Sequence, residues 1–151
     1  MIPAEQDFPF GDGPFDDAWA LAWVDELLED GWWAVRLPLV GASDIERALA
    51  DNVHTLVAAE VVAAAMGRPH TGLPDEVVRW VERHRSEMPT ELVALAQEGV
   101  VRLARKSDLK DAVRARRRIK TWLYSLADLC IRLGSRLPEH LVPRREEKRP
   151  S

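Results

Sequence analysis

The sequence predicts an all-α protein, a single compact domain of about five helices with a long central helix. Apolar residues recur at helical spacing through most of the 151 residues, and no stretch alternates with the period of two that a half-buried strand needs. Turn signals at Gly31, Gly67 to Pro69, Met88-Pro89 and Gly134 divide the apolar runs into helix-length pieces. A chain of this size buries roughly two-thirds of its unfolded surface on folding, enough for a core without covalent staples.

The first helix is expected from about Asp16 to Asp30, opened by Asp16 or Asp17 as acids that accept from free amides and stopped by Gly31. Trp19, Trp23, Val24 and Leu27 form its stripe. The second opens at Ser43, which has capping-box spacing to Glu46, and ends at Gly67. The third starts at Pro74, with Asp75 and Glu76 complementing the helix dipole and Val77, Trp80 and Val81 facing inward.

Thr90 is expected to cap the fourth helix, whose stripe is Leu92, Ala96, Gly99, Val100 and Leu103. A glycine inside a helix is unfavourable by ~1 kcal/mol, so Gly99 suggests close approach of another backbone. The fifth helix runs from Ser107 to Gly134 with Ala112, Ile119, Leu123, Leu126, Cys130 and Leu133 in one stripe. The domain is taken as residues 1–135, and 136–151, with three prolines and mixed charge, as a flexible charged tail.

The net charge of −4 hides an asymmetry: residues 102–151 carry 15 Lys and Arg against 6 Asp and Glu, while the rest is strongly acidic. The single cysteine, Cys130, cannot form an internal disulfide, and no Cys/His spacing suits zinc, which fits a reducing cytoplasm. His54, His70, His84 and His140 are scattered, so no metal site or cofactor is expected. The opening residues lack the basic start of a secretory signal, and LVAAEVVAAAM is too short and too interrupted to span a membrane.

Glu60 is the chemical anomaly, because it falls in the middle of the second helix's apolar side among Leu49, Val53, Leu56, Val57 and Ala64. Burying an ionised carboxylate without partners costs several kcal/mol, so it must be hydrogen-bonded, paired or protonated. Three partners are considered: the amides of the opening turn at Gly11, Gly13, Asp16 and Asp17; Arg116, which falls on the fifth helix's apolar stripe; and an indole N–H from Trp19, Trp23, Trp32 or Trp33. A structural tie is the preferred reading. A small-molecule-binding or enzymatic domain centred on Glu60, with the carboxylate as a general acid or base, is the alternative, but nothing on its helical face completes a catalytic set.

The adjacent Trp32 and Trp33 cannot both point inward, and one of them beside Asp25 and Glu29 would form a protein interface. The basic run with Arg114, Arg117, Arg118 and Lys120 is a candidate nucleic-acid contact.

FGDGPFDD, followed by a Trp-containing acidic helix and then by LVAAEVVAAAMGRP and LPDEVVRWV, resembles a bacterial family catalogued as domain of unknown function 4259, over roughly residues 9–134. Its WGxGxFxxD turn maps onto Phe10, Gly11, Gly13, Phe15 and Asp16 or Asp17, and its AAE run onto Ala58, Ala59 and Glu60. The chain departs from the pattern with Phe10 in place of a Trp, a one-residue shortening near Asp17 and a more basic final helix. The resemblance implies a small helical fold and carries no activity. The functional expectation is a non-enzymatic cytoplasmic protein-binding domain, of the immunity or antitoxin kind that covers a basic partner.

Overall fold

The computed structural model describes Phe15, residues 18–40 and residues 49–144. The described residues form seven α-helices and no strands: α1 (Ala18–Asp30), α2 (Trp32–Val40), α3 (Leu49–Ala65), α4 (Asp75–His84), α5 (Glu91–Arg105), α6 (Asp108–Ala115) and α7 (Ile119–Arg132). The all-helical class agrees with the sequence; the count of five does not. The capping pair Ser43 and Glu46, and the opening turn with Gly11, Gly13, Asp16 and Asp17, lie outside the described residues.

α3 is the hub, packed against each of the other helices. It is buried on nearly every side from Val57 to Ala65 rather than along one stripe. Its run of Ala and Val explains this, because small apolar residues let neighbouring helices approach from all directions.

The helix that the sequence did not reveal is α2. Pro38 lies inside it and argues against a helix there, since proline removes an amide donor and crowds the preceding turn. The missing Pro38 N–H leaves the Ala34 carbonyl without its usual partner four residues on. Trp23 Nε1 of α1 donates to that carbonyl at 3.3 Å. The Pro38 carbonyl in turn accepts from the buried Thr55 hydroxyl at 3.1 Å, so the irregularity is stitched to both α1 and α3. On its outer side α2 is tied to α5 by an Arg36–Glu91 ion pair, and the hydrogen bond and charge of Arg36 hold the Glu91 carboxyl below the ordinary carboxylate range.

The expected fifth helix is two. α6 stops at Ala115, and Arg117 takes a left-handed conformation with φ of 60°. The amide of Arg118 donates to Val113 O and that of Arg117 to Arg114 O. The same bond pair closes α3 at Gly67 and α7 at Gly134, a Schellman closure with glycine in the left-handed position. An arginine fills that position after α6, so the sequence shows no stop signal.

Ser107 caps α6 as expected, its hydroxyl accepting from the Lys110 amide at 3.0 Å. Asn52 of α3, also buried, accepts from the Leu109 amide and satisfies a second free donor of that helix start. Thr90 is the correction here: it precedes α5 but makes no side-chain cap bond.

Beyond Gly134 the chain stays on the domain for some distance. Leu137 is buried, Leu141 and Val142 pack against the core, and Tyr124 donates to the Pro143 carbonyl at 3.0 Å. The expected tail from 136 is therefore held as far as Pro143, and residues 145–151 lie outside the described residues.

Candidate functional site

The Glu60 carboxylate is where the sequence places the chemical tension, and it is buried, with 2% of the residue exposed. Its partner is Arg132, at the end of α7. Arg132 Nη2 donates to Glu60 Oε1 at 2.8 Å and Nη1 to Oε2 at 3.3 Å, the two-pronged geometry that arginine offers a carboxylate. Arg132 Nε donates to Asp128 Oδ2 at 2.8 Å, one turn back on α7, and Nη1 also reaches the Arg68 carbonyl at 3.4 Å. One guanidinium thus joins α3, the loop after it, and α7. Burial works against the charge of Arg132, but the hydrogen bonds and charges of Glu60 and then Asp128 outweigh it and raise its pKa above the ordinary arginine value.

Arg132 was not among the three partners considered from sequence. Arg116 sits at the turn after α6, its amide donating to Ala112 O and Val113 O, and not on a continuous stripe with α7. Among the tryptophans, Trp23 Nε1 donates to Ala34 O and Trp32 Nε1 to His84 O, both main-chain carbonyls. The signal for Arg132 was weak: it adjoins the buried Leu133 and stands one turn from Asp128. That α7 lies against α3 at Glu60 is a matter of tertiary pairing.

The tryptophan pair divides as its adjacency requires. Trp32 turns inward against Trp80, the rings edge to face with centroids 4.8 Å apart. Trp33 turns outward and is 59% exposed. Leu37 and Val40, four and seven residues further along α2, are exposed by half or more and share its face. On α1, Leu21, Asp25, Leu28 and Glu29 follow the same helical spacing, and all four are exposed, as are Glu26 and Asp30. α1 and α2 pack together, so these two helices present apolar and acidic side chains to solvent that the core does not use.

Arg114, Arg117, Arg118 and Lys120 are exposed, but they straddle the end of α6, the left-handed turn and the start of α7. They do not form the single basic helix face on which the nucleic-acid reading was based. Cys130 is fully buried in α7, and burial raises its thiol pKa, with a hydrogen bond to Ser135 pulling the other way. It is a small core side chain, and a neutral thiol is a poor nucleophile. Among the described residues no group of three His, Cys, Asp or Glu is placed to hold a metal ion, and no helix is long and apolar enough to cross a membrane.

The chain belongs to the family described as "Domain of unknown function (DUF4259)", which matches residues 10–125. No curated protein and no solved structure matches it.

Proposed function

We propose that this member of a family without an assigned activity is a non-enzymatic, cytoplasmic protein-binding domain that meets its partner through α1 and α2. The observation that carries this reading is the exposed row Trp33, Leu37 and Val40 on one face of α2. Large exposed apolar side chains gathered on one face mark interaction surfaces, and tryptophan is the residue most enriched at binding hot spots.

The acids beside that row give the partner its chemistry. Asp25, Glu26, Glu29 and Asp30 surround Leu28 at the end of α1, so the matching surface is basic with apolar anchors. A domain that covers a basic active surface, as immunity proteins and antitoxins do, fits that description by analogy. Glu60 enters as support: held by Arg132 on both oxygens, it fixes the scaffold on which α1 and α2 are mounted.

The test is affinity capture from the native cytoplasm followed by hydrogen exchange on the complex. The expected partner is basic, protects the amides of α1 and α2, and is lost from Trp33→Ala and from Asp25→Lys/Glu29→Lys. A partner that protects some other face, or one that survives both changes, refutes the assignment.

A further inference from the structure

Where the exposed row of α2 ends at Val40, the end of that helix and one face of α5 border an open cleft of about 600 Å³, within the roughly 300–1,000 Å³ of small-ligand sites. Its two kinds of lining are unlike those of the α1–α2 face. Leu39 and Val40 form one apolar wall and Leu95 and Val101 another, with Gly99 between them presenting bare backbone. Around this stand Arg102, Arg105, Lys106 and Arg136, with Glu98 the one carboxylate among the described lining residues.

None of the four cations makes an ion pair among the described residues. The contrast with Arg132, whose guanidinium is shared by two carboxylates, is direct. Like charges crowded at one cleft repel each other, and a bound anion relieves that repulsion while taking charge-assisted hydrogen bonds from the guanidinium groups. A bare inorganic anion would leave the apolar walls wet, and a neutral apolar molecule would leave the cations unmatched.

We infer that this cleft is a binding site for a small amphiphilic anion, with a carboxylate or phosphate head held by Arg102, Arg105, Lys106 and Arg136 and an apolar body lying between Leu39, Val40, Leu95 and Val101. Gly99 lies in the lining between the two walls. The site shares Val40 with the α2 row, but its cations come from α5, the residue after it and the chain after α7, so charge changes there leave the α1–α2 face untouched.

Decanoate and monodecyl phosphate, titrated separately by calorimetry and followed by amide NMR shifts, test the assignment and separate the two head groups. At least one is expected to bind saturably at one site per chain, shifting the amides of Gly99, Val101 and Arg102. Acetate, which lacks the apolar body, and octyl glucoside, which lacks the charge, are each expected to bind more weakly by about tenfold or more, the first for want of buried methylenes and the second for want of charge-assisted hydrogen bonds. Arg102→Gln/Arg105→Gln and, independently, Arg136→Glu are expected to weaken binding by about tenfold without altering the circular dichroism spectrum. The inference is overturned if neither amphiphile binds saturably, if octyl glucoside binds equally well, if the shifts fall elsewhere, or if a folded variant retains full affinity.

Discussion

Arg132 and the cations around the α5 cleft belong to the same basic half of the chain but live under opposite conditions. Arg132 is largely buried, and its guanidinium is occupied by Glu60, Asp128 and the Arg68 carbonyl. Arg102, Arg105 and Arg136 stand around open space with no ion pair among the described residues. The first arrangement follows from the fold, since α3 carries a carboxylate inward and something must answer it. The second answers no demand of the fold, and a feature the fold does not require invites a reason outside it. Arg117 makes a third case, its backbone held in a conformation that suits glycine.

Substitutions at these arginine sites probe that contrast, and the largest effect belongs to the buried pair. Glu60→Ala leaves a guanidinium half-stripped of partners inside the protein and is expected to cost about 3 kcal/mol, lowering the melting temperature by about 10 °C. Glu60→Met combined with Arg132→Met is expected to recover most of that loss, because two apolar side chains of similar volume have no charge to satisfy. Thermal unfolding of the single and double variants decides it. A near-neutral Glu60→Ala would erase the difference between the two settings.

Arg117→Gly is expected to act in the opposite direction, stabilising by about 1 kcal/mol, since glycine adopts the left-handed conformation without the clash of a β-carbon. Urea midpoints would register the gain. A loss instead would mean that the Arg117 side chain makes contacts worth more than the backbone relief. The smallest effect is expected at Arg105→Gln, within about 0.5 kcal/mol of wild type, because an exposed residue with no ion pair among the described residues contributes little to folding. A clear loss of stability there would assign the cleft cations to the scaffold after all.

Much of the fold was legible because the relevant signals are local. The helical period, the Pro74 start with its acids, the Ser107 cap and the glycine after α3 are each decided within a few residues, and each stands where expected. The burial of Glu60 was legible for the same reason, being a matter of which side of one helix it falls on. What the sequence hid was of two kinds. Local rules were broken and then compensated at a distance: Pro38 sits in a helix whose freed carbonyl is taken by Trp23, and Arg117 occupies a glycine's place. The other hidden features needed tertiary pairing, as in the meeting of Glu60 with Arg132, 72 residues apart, or of the α2 end with α5.

The position of Arg132 also bears on the order in which the protein can mature. The family match ends at residue 125, before the arginine that answers Glu60. A fragment cut at that point keeps the acid and loses its only cation contact found among the described residues. During synthesis α3 emerges long before its counter-charge. Until α7 has been made, Glu60 lacks the guanidinium that answers it, so closure of the domain around α3 waits for α7.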